Sequence, residues 1–314
     1  MSRPMAMRDI FLERVRQEME QDPSVFFLTA DFGSPVLDRI RQDFSDRFVN
    51  VGIAEQNLVN LAAGLALEGF RVFTYAIAPF YLRAYEQIRI NLSMLFHGKG
   101  SVNMIAVGAG CSYVIAGPSH HCFEDLSAMR LLPGIEMVSP SDAETAGASF
   151  ERTRSPGIRY FRFDAWKLPS LTEEGREAFP KEGFRLLRDC PEPECVFVST
   201  GYMTHFAVRT ADRLSGQVRI RHVDLLDFRP EERAFSSALK APLAVSLEEG
   251  FVGRGGLDAL VWGHLHGGEV FRAFGIPDRF EFAGQDREST LRKYGLTEEH
   301  VAEEILQFMK EKKL

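Results

Sequence analysis

The chain has 314 residues, 45% of them hydrophobic, and a formal net charge of −7. The length predicts two domains, and the scattered basic residues argue against nucleic acid or an acidic membrane as the main partner. The sequence shows no signal peptide or apolar span, and its four cysteines lack Cys-x-x-Cys spacing, so we expect a cytoplasmic protein with reduced thiols.

The first half of the sequence alternates short β-rich runs with amphipathic stretches of helical length. Such alternation predicts a parallel sheet flanked by helices. Pro140, Ser141 and Asp142 are start signals for the last of these helices. We predict strands at 25–29, 48–51, 71–75, 102–107, 135–138 and 158–163, and helices at 55–68, 80–95, 123–131 and 142–151.

The alternation stops after Asp164, and the following stretch contains Pro169, Gly175 and Pro180 without apolar periodicity. This composition is typical of a surface linker. We therefore predict a first domain at 1–165, a linker at 166–190 and a second domain at 191–314. The second domain has predicted strands at 195–199, 220–223 and 243–247 and helices near 206–214, 256–266 and 298–310. The predicted fold class is α/β, with two domains that each hold a mostly parallel sheet flanked by helices.

Glu55 stands where a predicted strand has ended and a helix opens. A carboxylate there lies at the carboxyl edge of a parallel sheet, where crevices form. Alternatively, Glu55 only complements the positive end of its own helix.

The segment from Asp46 to Phe70, with its Val-Gly-Ile-Ala-Glu-Gln run, resembles the pyrimidine-binding domain of transketolases, and most of all that of deoxyxylulose-phosphate synthase. Further matching segments follow in register at 75–87, 117–121, 125–127, 131–134 and 140–144, and the C-terminal part fits the family at 246–256 and 293–297. The resemblance covers the second half of the family's single-chain enzymes. It implies a thiamine-diphosphate enzyme with a transketolase fold.

The resemblance assigns cofactor-binding roles to four residues. Glu55 matches the catalytic glutamate that bonds the aminopyrimidine ring of the cofactor, and Phe80 matches the aromatic residue on which that ring stacks. Arg83 matches a synthase-type arginine near the ring. Ile53, with Leu58 and Val59, suits apolar walls, which favour a protonated carboxyl. Phe80 could instead be a core residue, and Arg83 could instead pair with Glu86 on the helix surface.

The resemblance also assigns substrate-binding residues. His120, in Gly-Pro-Ser-His, matches a catalytic histidine that faces a substrate oxygen, and the Gly117-Pro118 turn suggests a loop held in one shape. His121 replaces the usual Gln and is a further candidate. Arg159 and Arg162, at the end of the sixth strand, match family arginines that could clamp an anion, or they could belong to a charged edge strand.

Several positions depart from the family pattern. Ala116 replaces an acidic residue, Ile77 replaces a synthase tyrosine, and the run from Gly108 to Ser112 carries no cation where relatives have one for the phosphate of the acceptor. These differences imply a different choice of substrate. The sequence has no Gly-Asp-Gly followed by Asn, the segment by which the family holds Mg²⁺ and the diphosphate. We therefore assign no metal ligand to this chain.

The favoured interpretation is the C-terminal subunit of a split transketolase that moves a two-carbon ketol unit between sugar-like molecules. A partner subunit would hold the diphosphate and Mg²⁺, and a homodimer of this chain would recruit two partners as a heterotetramer. The second domain is expected to lie away from the cofactor and to serve dimer contacts. One alternative keeps the cofactor in a decarboxylating synthase or 2-oxo acid enzyme. The other is a non-catalytic binding or regulatory relative.

Overall fold

Two sheets rich in buried apolar residues organise the chain, which a computed structural model describes for residues 6–95, 100–172, 175–265, 267–280, 282 and 285–314. The first sheet has six parallel strands in the order β2-β1-β3-β4-β6-β5. Its strands are β1 (Val25–Thr29), β2 (Phe48–Asn50), β3 (Arg71–Ile77), β4 (Ser101–Val107), β5 (Ile135–Val138) and β6 (Gly157–Phe163).

Helices cover both faces of this sheet because its interior strands are apolar on both sides. One face packs an aromatic cluster against the first helix, where the rings of Phe11 and Phe161 lie 4.6 Å apart. The other face packs the helix that follows β2. The helices of this unit are α1 (Met7–Gln21), α2 (Pro35–Asp43), α3 (Glu55–Leu67), α4 (Ala78–Tyr81), α5 (Tyr85–Gln87), α6 (Asp125–Arg130) and α7 (Ala143–Ser149).

The prediction of one continuous helix at 80–95 is wrong. Between α4 and α5 the chain forms a 3₁₀ turn at Leu82–Ala84, and after α5 it forms a π-helix at Ile88–Met94. The start signals of the last helix are confirmed, because Asp142 caps α7 with a reciprocal bond to Thr145.

The second sheet has five strands in the order β11-β10-β8-β9-β7, and β7 alone is antiparallel to its neighbour. Its strands are β7 (Phe184–Arg188), β8 (Cys195–Ser199), β9 (Ile220–Leu225), β10 (Leu243–Phe251) and β11 (Val270–Ile276). Its helices are α8 (Tyr202–Arg213), α9 (Glu232–Ala238), α10 (Leu257–Gly263), α11 (Arg287–Lys293) and α12 (Glu298–Lys312). The α/β class with two mostly parallel sheets is confirmed.

The predicted linker at 166–190 includes a structural strand, since β7 belongs to the second sheet. The prediction also omitted five elements, namely α1, α2, α9, α11 and β11. Parts of the predicted domains and linker, at 1–5, 96–99, 173–174, 266, 281 and 283–284, lie outside the described residues.

The two units meet along a seam of backbone and charged contacts. The Ser139 N–H donates to the Leu226 carbonyl, and Val138 forms a bridge with Asp227. The Arg185 guanidinium of β7 contacts Asp142 of the first unit, and Arg287 of α11 contacts Asp164. The four cysteines are free thiols. In the described part of the chain, no helix has both the length and the apolarity needed to cross a membrane.

Candidate active site

Glu55 is the first residue of α3, just beyond the carboxyl end of β2, as the sequence predicts. The left-handed backbone of Gly52 (φ 74°) turns the chain between these two elements. Although the Glu55 side chain is only 3% exposed, its one ion pair among the described residues is with Arg83, whose Nε lies 3.9 Å from Oε2. That separation is too long for a hydrogen bond. The buried carboxylate therefore keeps its acceptor capacity for another donor.

Phe80 and His120 lie side by side, a contact that the sequence did not predict. Their rings meet edge to face, with centroids 5.3 Å apart and planes at 67°, a favourable aromatic geometry. Both residues are half-buried, so each ring keeps an open side. The interpretation of Phe80 as a fully enclosed core residue is therefore wrong.

Arg83 is 67% exposed on the side chain and faces Glu55 across the site. The alternative pairing of Arg83 with Glu86 is wrong, because Glu86 pairs with Arg89, whose Nε lies 3.1 Å away. The structure thus places Glu55, Phe80, Arg83 and His120 on neighbouring segments at the carboxyl edge of the first sheet.

Leu58 and Val59 are fully buried, but Ile53 is 74% exposed. Within this chain Ile53 therefore does not form the expected wall, and its role in cofactor binding stays a prediction. Ile115, in the loop that carries His120, is 83% exposed. Exposed apolar side chains of this kind often mark a surface that a ligand or another protein covers.

The loop from Gly110 to Cys122, termed the histidine loop below, is held by backbone hydrogen bonds. Gly117 has φ 78°, and its carbonyl accepts from the His120 N–H at 2.9 Å and the His121 N–H at 3.3 Å. Gly110 and Cys122 exchange two hydrogen bonds of 3.0 Å. The turn at Gly117-Pro118 is therefore present, and the expectation that it holds the loop in one shape stays a prediction.

The two histidines of the loop differ in environment. The His120 Nδ1 lies 3.0 Å from the Ser119 hydroxyl. His121 is buried beside Phe123, and no hydrogen bond of good geometry reaches its ring nitrogens among the described residues. Burial lowers the pKa of His121, a shift that the nearby Val114 carbonyl and Glu249 partly oppose. His121 is therefore neutral near pH 7, while His120 faces the open site.

Arg162 lies near the end of β6 but is buried, and its Nε donates to Asp125 at 2.9 Å. The expectation that Arg159 stands at the end of its strand is wrong, since it is the third of seven residues in β6. Arg159 is buried, and its guanidinium donates hydrogen bonds to Glu136, Asn103 and Ser155. The edge-strand alternative is also wrong, because β6 lies between β4 and β5. Neither guanidinium joins the site, and substrate binding by either stays a prediction.

Sequence reasoning missed two features of the histidine loop. Tyr113 packs so closely on Gly108 that a Cβ there would lie 2.4 Å from its ring. Tyr113 thus occupies space beside the segment that lacks the family cation. From the second unit, Glu249 packs on Gly110 in the same way. Glu249 lies within the family-like segment at 246–256, which was the available signal, but the second domain was expected to lie away from the cofactor.

The described residues contain no group of three or more His, Cys, Asp or Glu side chains arranged to hold a metal ion. The geometry fits one end of a cofactor, since a buried carboxylate that no described residue bonds and a half-buried aromatic ring stand at the same edge. The Glu55 carboxylate can exchange a proton with a ring nitrogen, and Phe80 can stack on a flat heterocycle.

Comparison with known proteins agrees with this geometry. Residues 3–164 match the family model described as the transketolase pyrimidine-binding domain. The chain is 28% identical over 312 residues to one subunit of the apulose-4-phosphate transketolase of Phocaeicola vulgatus, with 98% of each chain covered. It is 32% identical over 290 residues to the 1-deoxy-D-xylulose-5-phosphate synthase of Anaeromyxobacter dehalogenans, which covers 88% of this chain but only 44% of the synthase.

Solved structures show the same relationship. A split-gene transketolase, described as an inactive beta4 tetramer, superposes with a TM-score of 0.82 at 26% identity and covers 96% of this chain and 98% of its own. The transketolase of Leishmania mexicana superposes with a TM-score of 0.82 at 20% identity, covering 99% of this chain and 46% of its own, which shows the shared fold. The same family is indicated by the matched domain, by the relatives and by the arrangement of Glu55, Phe80 and His120. We conclude that the chain belongs to the transketolase family.

Proposed function

We propose that the chain is the pyrimidine-binding subunit of a split, thiamine-diphosphate-dependent transketolase that transfers a two-carbon ketol unit between sugar-like substrates. The observation that carries the proposal is Glu55, a buried carboxylate that accepts no hydrogen bond from the described residues, stands opposite Arg83 and lies close to the pair of Phe80 and His120. When bound, the cofactor supplies a carbanion centre that can accept and release a ketol fragment.

Glu55 would hold a proton at a ring nitrogen of the cofactor, because its carboxyl accepts no hydrogen bond from the described chain. Phe80 would support the face of the same ring and exclude water from it. The Arg83 guanidinium would neutralise the ionised form of Glu55 when the proton moves. The role of Ile53 would be to cover the ring from the exposed side of the β2–α3 connection.

His120 would donate a hydrogen bond to the substrate oxygen next to the reacting carbonyl. Negative charge develops at that carbonyl during the reaction, so a donor beside it stabilises the transition state. The edge contact with Phe80 keeps the imidazole at the open side of the site. His121 stays neutral through burial and would line the substrate side as an uncharged group. The absence of a cation between Gly108 and Ser112 favours an acceptor whose phosphate, if it has one, is bound elsewhere.

We further propose that a second polypeptide holds the diphosphate and Mg²⁺. Support comes from the similarity over 98% of both chains to a protein whose name makes it one subunit of a transketolase, and from the split-gene relative described as an inactive beta4 tetramer. The exposed Ile53 and Ile115 beside the site suit an interface with that partner. A homodimer of this chain with two partners is the simplest closed assembly.

A thermal-shift and turnover experiment tests the assembly. The purified chain is mixed with thiamine diphosphate and Mg²⁺, with and without a candidate partner that carries Gly-Asp-Gly and a downstream Asn. Ligands that bind only the assembled state raise its melting temperature by mass action. We expect a shift and ketol transfer only in the mixture. Turnover by the isolated chain would contradict the proposal.

A decarboxylating synthase is the second candidate, because the chain is 32% identical to a deoxyxylulose-phosphate synthase and has Arg83 at the synthase-type position. The two candidates differ in the donor. A ketol transferase releases an aldose from a ketose donor, whereas a synthase releases CO₂ from a 2-oxo acid. Assaying both products on the same mixture separates them, and the absence of both would favour the non-catalytic alternative.

A further inference from the structure

The base of the histidine loop rests on a side chain of the second unit. Glu249, in β10, packs so closely on Gly110 that a Cβ at Gly110 would lie 2.1 Å from Glu249 Oε2. Gly110 has φ 58° and pairs with Cys122 at the other end of the loop. Any displacement of the Glu249 carboxylate therefore acts on both ends of the segment that carries His120.

The Glu249 carboxylate is itself fixed by Arg287 of α11. The Arg287 Nε donates to Oε1 at 2.7 Å, and its Nη2 donates to Oε2. The remaining donor, Nη1, bonds Asp164 of the first unit at 2.6 Å, while the guanidinium carbon lies 3.6 Å from the centroid of the Tyr202 ring. A bidentate buried pair of this kind fixes direction as well as distance.

Arg162 provides a second link between Glu249 and the histidine loop. Its Nη2 lies 3.4 Å from both the Cys122 carbonyl and the Glu249 carbonyl. Strand β10 of the second unit is thus connected to the histidine loop through both the side chain and the backbone of Glu249. Nothing comparable connects Glu248 to the loop among the described residues, since its carboxylate accepts from the Leu257 and Asp258 N–H groups of α10, each at 3.0 Å.

We propose that Glu249 and Arg287 are positioning residues for His120: the second unit holds the histidine loop so that the imidazole stays against Phe80. The consequence for catalysis rests on the proposed function, but the consequence for loop geometry does not. The second unit then contributes to the active site through the shape of the loop.

The test compares Glu249→Gln with Glu248→Gln, two identical chemical changes at adjacent, buried positions of one strand. The first readout is the His120 ring resonance, which the edge contact with Phe80 shifts; it is assigned by its loss in His120→Gln. The second is Trp166 fluorescence in a Trp262→Phe background, because the Trp166 Nε1 bonds the Ser112 carbonyl of the loop. Both readouts need only the isolated chain.

We expect Glu249→Gln to move both signals and to lower kcat of the assembled enzyme about tenfold, since small misplacements of a catalytic group are costly. Cofactor affinity should stay unchanged. Glu248→Gln should leave the signals and kcat as in the wild type. If Glu249→Gln does not fold, Arg287→Lys serves instead, because it keeps the charge but loses the bidentate bond, and it should move the same signals.

Wild-type His120 and Trp166 signals in folded Glu249→Gln or Arg287→Lys would overturn the proposal. Equal perturbation by Glu248→Gln would also overturn it, because the effect would then be general loss of packing. If the wild-type mixture showed no turnover, the proposed function would fail, while the two spectroscopic signals would still decide the positioning role.

Discussion

The seam between the two units and the site at the carboxyl edge use similar charged residues in different ways. At the seam, Arg185 meets Asp142 and Asp224, and Arg287 meets Asp164 and Glu249. At the site, Glu55 faces a single guanidinium 3.9 Å away. Buried ions in proteins require close partners. Full pairing therefore marks the seam as structural, and the incomplete pairing of Glu55 among the described residues is what the proposed role in cofactor binding requires.

Removing the charge of Glu55 should give the largest effect on activity. Glu55→Gln keeps the volume but cannot exchange the proton, so turnover of the assembled enzyme should fall about 10²–10⁴-fold. Hydrogen–deuterium exchange at the thiazolium carbon of the cofactor measures the affected step. The free energy of unfolding should change little. Glu86→Gln, at an exposed acid paired with Arg89, is the control. Exchange in Glu55→Gln as fast as in the wild type would refute the assignment.

Substituting a buried arginine of the seam should lower the free energy of unfolding instead. Arg185→Ala leaves the buried Asp142 and Asp224 without their shared guanidinium, and breaking such a pair costs about 3–5 kcal/mol. Arg188→Ala, three residues along β7, removes a partly exposed pair with Asp212 and should cost about 0–1 kcal/mol. Urea denaturation of both variants provides the measurement. Similar losses for the two variants would mean that the seam pairing adds nothing specific.

Substituting His120 should lower turnover less than substituting Glu55 does, and turnover alone should change. His120→Ala removes a single donor to the substrate, so kcat should fall about 10²-fold, while calorimetry should show unchanged affinity for thiamine diphosphate. His300→Ala, at an exposed histidine of α12, is the control. Lost cofactor binding with normal kinetics would contradict the role assigned to His120.

The contrast between the site and the seam also explains which features the sequence could predict. Glu55, Phe80 and His120 follow strands of one parallel sheet, and the carboxyl ends of such strands share an edge, so local motifs were enough to predict where these residues lie. The burial of Arg159 and Arg162 was not predictable in this way: three residues apart along a strand they point to opposite faces, and their carboxylate partners, Glu136 and Asp125, lie 23 and 37 residues away in sequence. Glu249 meets Arg287 at a separation of 38 residues. Long-range pairing of this kind leaves no local pattern.

A different reason explains why the sequence did not predict the irregular helical segment after Phe80. The sequence at 80–95 has helical periodicity, yet the chain passes through a 3₁₀ turn and a π-helix. Such segments differ from an α-helix by one hydrogen-bond step, and they are frequent beside functional sites. Apolar spacing does not distinguish them, although the 3₁₀ turn carries Arg83.

The smallest predicted effect concerns Glu248, a buried carboxylate of the second unit that has backbone donors instead of an arginine. Burial raises the pKa of Glu248 to about 7, although the Leu257 and Asp258 N–H groups oppose the shift. Because the folded pKa lies above the unfolded one, the folded state binds more protons between about pH 4.5 and 7. The stabilising contribution of this proton is therefore complete below that window and is lost as the pH rises through it.

Glu248→Gln removes the titration while any hydrogen-bond cost of the amide stays constant with pH. The difference in unfolding free energy between wild type and variant should therefore change by about 2 kcal/mol from pH 5.5 to 7.5, with the wild type losing stability. Urea titrations at four pH values within this range measure the difference. Parallel curves for the wild type and Glu248→Gln would show that Glu248 is ionised throughout, and that two backbone donors satisfy a buried carboxylate as well as an arginine does.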